Sequence, residues 1–131
     1  MAGGSLRAVF DGLRHVHWQR ALRRRPGGRR EEYAMTNYIM LAKWTDQGIR
    51  NAKDSPRRLD KARQLLKDMG GDFKQFFLAM GKYDIVAIYE APDDAVAARF
   101  SVELGMLGNL RTETLKAFPE AAYREIIRTL A

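Results

Sequence analysis

From Asn37 onward the chain alternates short apolar-rich runs with longer segments whose apolar residues recur every three or four positions. The run Asn37 to Thr45 is short on turn formers and predicts a strand. Asp46-Gln47-Gly48 interrupts it, and a short helical turn through Ala52 is expected next. Asp54-Ser55-Pro56 opens a helix, with Ser55 suited to the cap and Pro56 to the first helical position. The stripe of that helix is Leu59, Ala62, Leu65, Leu66 and Met69, and Gly70-Gly71 ends it. Residues 72–80 predict a second strand through Phe73, Phe76, Phe77, Leu78 and Met80. Gly81-Lys82 reads as a two-residue hairpin turn, with glycine first as a type II′ turn requires. A third strand follows from Tyr83 to Ala91, stopped by Pro92. Asp93 caps a helix that buries Val96, Ala97, Phe100, Leu104 and Leu107, weakened at Gly105 and stopped at Gly108. Asn109 to Phe118 is the fourth strand, supported by Thr112 and Thr114. Pro119 starts a last helix with Ala122, Tyr123, Ile126, Ile127 and Leu130 on one side.

The order β-α-β-β-α-β is the split arrangement of the ferredoxin-like α+β fold, here with an extra C-terminal helix. It places both main helices on one face of a four-stranded antiparallel sheet. The other face should then be polar in a monomer. Strict alternation puts Tyr38, Met40, Ala42 and Trp44 opposite Ile39 and Leu41 on the first strand. It puts Phe73, Phe77 and Ala79 opposite Phe76, Leu78 and Met80 on the second, and Tyr83, Ile85, Ala87 and Tyr89 opposite Val86 and Ile88 on the third. Both faces are apolar, so a homodimer with its two sheets face to face is expected, in the manner of a dimeric α/β-barrel.

Composition changes the picture at one end only. The 131 residues carry a formal net charge of +7 and no cysteine, which excludes disulfides, zinc–thiolate sites and thiol nucleophiles. Residues 1–34 hold eight arginines against three acids, and both histidines, His15 and His17. Residues 35–131 are nearly neutral, with 15 basic and 13 acidic side chains. A boundary before Met35 follows: a basic leader, 1–34, expected to lack fixed structure, and a domain, 35–131. Three readings of the leader stay open. Met35 is the true start, or the leader is a disordered tail, or it is an arm for targeting, a membrane surface or nucleic acid. It lacks the continuous apolar segment of a secretory signal, and the body has no interleaved basic and aromatic stripe. A cytoplasmic protein without a membrane span is expected, and nucleic acid is not an expected partner of the body.

Several motifs together are specific. Lys43-Trp44-Thr45-Asp46-Gln47-Gly48-Ile49, Ser55-Pro56-Arg57-Arg58, Met80-Gly81-Lys82-Tyr83-Asp84, Glu90-Ala91-Pro92-Asp93-Asp94 and Gly108-Asn109-Leu110-Arg111-Thr112-Glu113-Thr114 give residues 35–131 a resemblance to the GYD domain family of small, mostly bacterial proteins. Gly81, Tyr83 and Asp84 correspond to the residues that name the family. The resemblance implies a ferredoxin-like fold of the dimeric α/β-barrel class and a start near Met35. It implies no function, since fold alone does not choose one.

With no histidine in the body, the commonest general base and metal ligand are missing, and no cofactor or metal is expected. Adjacent Asp93 and Asp94 read as a helix start. The candidates for binding a small molecule are polar residues on apolar strands: Lys43, Trp44 and Thr45 at the end of the first, and Asn109, Arg111 and Thr114 on the neighbouring fourth. If the two sets converge, Arg111 would clamp an anion, Trp44 would stack on a planar group, and Asn109 or Thr45 would bond a carbonyl. The competing reading pairs Arg111 with Glu113 within the sheet or across the dimer. Tyr83 and Asp84 complete the set, Asp84 either as a desolvated base or as a partner of backbone amides, with Tyr83 packed in the core. Three functions remain open: a ligand- or partner-binding accessory or regulatory protein, a cofactor-independent oxygenase or isomerase for a small planar or anionic substrate, and binding of nucleic acid or a membrane surface through the leader.

Overall fold

The computed structural model describes residues 35–131, so the expectations for residues 1–34 lie outside the described residues. The elements are β1 (Thr36–Trp44), α1 (Asp46–Arg50), a 3-10 turn (Ala52–Asp54), α2 (Ser55–Asp68), β2 (Asp72–Leu78), β3 (Ile85–Ala91), α3 (Asp94–Met106), β4 (Leu110–Ala117) and α4 (Glu120–Arg128). The four strands form one antiparallel sheet in the order β2-β3-β1-β4, which is the ferredoxin-like order.

The core lies between this sheet and helices α2 and α3. Tyr38, Met40, Phe73, Ala87 and Tyr89 from the strands meet Leu66, Met69, Val96, Ala97, Phe100 and Leu104 from the helices. Asp93 caps α3 through its side chain, which accepts the Val96 N–H at 2.9 Å. Gly70, at φ 92°, ends α2 in the left-handed conformation that glycine adopts without strain.

Four local expectations are corrected. First, no two-residue hairpin joins β2 to β3; the strands stop at Leu78 and start at Ile85, and residues 79–84 form a longer loop. Asp84 closes its base, donating its N–H to the Ala42 carbonyl and accepting the Ala79 N–H. Second, a bulge between Phe73 and Gln75 breaks the alternation of β2. Phe73 and Phe76 pair with Tyr89 and Ala87 on the helix side, while Phe77 pairs with Val86 on the open side. Third, Ser55 caps nothing, because Asp54 and Ser55 already have helical backbone angles inherited from the 3-10 turn. Fourth, Leu107 is exposed beyond the end of α3.

The face away from the helices carries Ile39, Leu41, Val86, Ile88, Phe77 and Leu115, with Phe77 50% and Leu115 48% exposed. The stripe of α4 is also uncovered, and the helix buries none of its residues. Among the described residues, no helix is long and apolar enough to cross a membrane.

Candidate functional site

The end of β1 is locked to the α3–β4 loop by a dense set of bonds. Thr45 caps α1, its hydroxyl accepting the Gly48 N–H at 3.0 Å and donating to the Gly108 carbonyl at 2.5 Å. Its own N–H donates to the Asn109 carbonyl at 3.0 Å. Gln47 Nε2 reaches the Leu107 carbonyl and Asn109 Oδ1. Arg58 on α2 donates to the carbonyls of Asn51 and Gly48, tying that helix to the same joint.

Beside this joint, between α2 and the sheet, lies a chamber of about 280 Å³. Met40, Trp44, Phe73, Phe76 and Ile85 form its sheet wall, and Leu59, Ala62 and Leu65 its helix wall. Leu104, Leu107 and Leu110 also line it, and Ser55, Arg58, Lys61 and Asn109 border it while leaving its surface almost entirely carbon. The stripe of α2 is thus divided: Leu66 and Met69 pack in the core, whereas Leu59, Ala62 and Leu65 stay partly open along the chamber. Water in such a space meets mostly carbon, so an apolar occupant is favoured.

The other candidates lie elsewhere. Lys43 pairs with Arg111 in the register, so both leave their strands on the open face, opposite to Trp44, but Arg111 runs round the edge strand β4 and its Nη1 lies 4.0 Å from the place a Cβ on Gly105 of α3 would take. Tyr83 reaches across that face: its hydroxyl donates to Glu113 Oε2 at 2.6 Å, and Lys43 Nζ lies 5.7 Å from its ring centre. Tyr83 is therefore not a core residue, and the Glu113 carboxylate holds its phenol above the ordinary tyrosine value. The Asp84 carboxylate accepts the Trp44 N–H at 2.9 Å, spanning β1 and the loop. Thr114 faces α3, its hydroxyl 3.0 Å from that of Ser101. The eight candidates are thus distributed as Trp44 and Asn109 at the chamber, Thr45 in the joint, Asp84 in the sheet, Lys43 and Tyr83 on the open face, Arg111 reaching from that face to the end of α3, and Thr114 under α3.

A polar group without a sequence signal stands next to Thr114. The Tyr38 hydroxyl donates to Asp94 Oδ1 at 2.6 Å, and Lys116 Nζ lies 3.2 Å from Asp94 Oδ2. The Tyr38 bond, then Lys116, holds the Asp94 carboxyl below its ordinary value. Burial, then the Asp94 carboxylate, pushes the Tyr38 phenol well above the ordinary tyrosine value, and burial also raises Tyr89. The signs give two limbs. The stability from Asp94 is present above the ordinary carboxylate pKa and lost as pH falls through its depressed value. The stability from neutral Tyr38 and Tyr89 is present below the pKa of a free tyrosine, about 10, and lost as pH rises through their raised values. Melting curves should show Asp94→Asn flattening the acid limb. In alkaline titration followed at 295 nm, two tyrosines should ionise only as the protein unfolds.

Among the described residues, no cluster of acids or histidines fits a metal ion. The chamber offers almost purely apolar contact, which is the chemistry of binding. The profile of the GYD domain matches residues 38–127.

The chain belongs to the GYD domain family.

This GYD domain is similar to a Thermus thermophilus protein named "Glutamine synthetase and cystathionine beta-lyase binding protein". The two are 34% identical over 88 residues, covering 66% of this chain and 93% of the relative. No solved structure gives a significant match. In the GYD domain the naming residues lie at one loop: Gly81 at its tip with φ 130°, Tyr83 bonded to β4, and Asp84 bonded to β1.

Proposed function

We propose that this GYD domain is a cytoplasmic accessory protein that acts as a homodimer by binding a metabolic enzyme. The observation that carries the reading is the match to a relative that is itself named as a binding protein, along nearly all of that relative's length. Glutamine synthetase and cystathionine beta-lyase are the partners to try first.

Physical chemistry supports both parts. Ile39, Leu41, Val86 and Ile88 form a contiguous apolar block at the centre of the open face, with Phe77 and Leu115 at its flanks. A second copy laid on that block covers it through a self-complementary interface. The exposed stripe of α4, with Tyr123, Ile126, Ile127 and Leu130, supplies a further docking element.

Light scattering should give twice the chain mass at micromolar concentration. Leu41→Asp, which sets a charge in the middle of the block, should yield a folded monomer. A wild-type monomer at that concentration overturns the dimer. Titration calorimetry of the protein against each purified enzyme from its own organism tests the partner, and absence of heat with both enzymes overturns that half.

A further inference from the structure

We propose that the chamber between α2 and the sheet is a binding site for a small amphipathic carboxylate. Its ligand has an apolar body of roughly ten carbons and one anionic head held at the mouth. Size, wall chemistry and charge each point to this class.

An apolar cavity of ~150 Å³ takes up benzene. A chamber of about 280 Å³ therefore accommodates a body of roughly ten to twelve carbons by the same scale. A helix, about 10 Å across with its side chains, is too wide to enter such a space, which favours a small molecule over a peptide. The walls are aromatic and aliphatic, from Phe73, Phe76 and Trp44 on the sheet to Leu59 and Leu65 on α2. Ala62, midway along the helix wall, leaves room where a larger side chain would close it.

The head group follows from the mouth. Lys61 brings a positive charge to the edge of the carbon interior, Arg58 a second one on a guanidinium already bonded to the Asn51 and Gly48 carbonyls, Ser55 a hydroxyl, and Asn109 an amide. No carboxylate is among the described residues that line the chamber. A mouth of cations and donors over a carbon interior selects an anion carried on an apolar body. The N-terminal turn of the fourteen-residue α2, which begins at Ser55, adds its partial positive charge on the same side.

The inference does not rest on the proposed enzyme partner, because the ligand is titrated into the full-length protein alone. The probes are decanoate, decanol and decylamine, followed by calorimetry. Decanoate should bind saturably, one per chain, and roughly tenfold more tightly than decylamine. Ala62→Phe, which fills the chamber, should weaken decanoate by at least about tenfold. Lys61→Glu, on the surface, should leave the circular dichroism unchanged and weaken decanoate about fivefold. Equal affinity for the anion and the amine overturns the assignment, as does absence of saturation at millimolar decanoate. Undiminished binding to a folded Ala62→Phe protein also overturns it and assigns the alkyl chain to the open face. If Ala62→Phe does not fold, the amine comparison and Lys61→Glu decide the matter.

Discussion

Phe100→Ala is expected to lower the free energy of unfolding by about 3–5 kcal/mol. Phe100 is 0% exposed and stands edge-on to two rings, Phe73 at 5.8 Å and Tyr89 at 5.4 Å. Tyr89 in turn stacks on Tyr38 at 5.4 Å. Truncation therefore empties the point where α3 meets β1, β2 and β3 together. A domain of this size has a total stability of roughly 5–15 kcal/mol, so the variant should be close to unfolding at physiological temperature. Urea denaturation measures it. A loss below about 1 kcal/mol, the scale of an ordinary substitution, would show that the aromatic cluster is not the keystone of the core.

The second large effect is expected from Gly48→Ala. A Cβ at position 48 would overlap the carbonyl oxygen of Asn109 and lie 2.9 Å from its carbonyl carbon. That oxygen cannot easily retreat, because it accepts the Thr45 N–H. The added methyl must push α1 off the α3–β4 loop, at a cost of about 2–4 kcal/mol. Gly81→Ala is the control. Gly81 has a positive φ of 130° but no atom within 4 Å of the place its methyl would take, so only backbone strain of about 1 kcal/mol is added. Thermal melts of the two variants separate a steric requirement for glycine from a conformational one. Equal shifts would mean that the joint yields. Because Gly48 also offers its carbonyl to Arg58, the first variant should loosen the chamber mouth as well.

The element order and most of the core are legible in the sequence because each signal is local. Asp93 before an apolar stripe marks a helix start, and glycine after Met69 marks a helix end. Alternation along β1 and along β3 from Ile85 separates the buried from the open side, since both strands are regular, but it misplaces Tyr83, which precedes the strand and bonds Glu113 on the open face. Alternation fails on β2, where the bulge near Lys74 changes which residues share a face. Such a bulge depends on how the partner strand pairs, and nothing in Phe73-Lys74-Gln75 announces it. The hairpin expectation fails for a related reason: Asp84 forms bonds to β1 as well as to the loop, so the base of the turn is fixed by a strand distant in sequence.

The candidate site is legible only in pieces. Trp44 and Asn109 do lie together at the chamber, but Arg111 leaves β4 on the face opposite to Trp44 and its guanidinium ends beside Gly105 of α3. Seeing this requires the register that sets Lys43 against Arg111, a relation between strands rather than a property of either one. Arg58 belongs to the Ser55-Pro56-Arg57-Arg58 motif, but its role is not legible there, because only the fold brings the carbonyls of Asn51 and Gly48 to it. The chamber itself has a faint signal. The α2 stripe narrows to alanine at position 62, but a small residue on a helix face more often marks close packing than empty space.

Helix α4 has a consequence for how this protein can be observed. A nine-residue helix in water is too short to persist by itself, because its nucleation is not repaid over so few turns. With none of its residues buried, its amides have little protection from within the chain. Hydrogen exchange along residues 120–128 should therefore slow when something lies across Tyr123, Ile126 and Ile127. The C-terminal segment becomes a built-in reporter of whether the protein is alone or engaged, readable without any label.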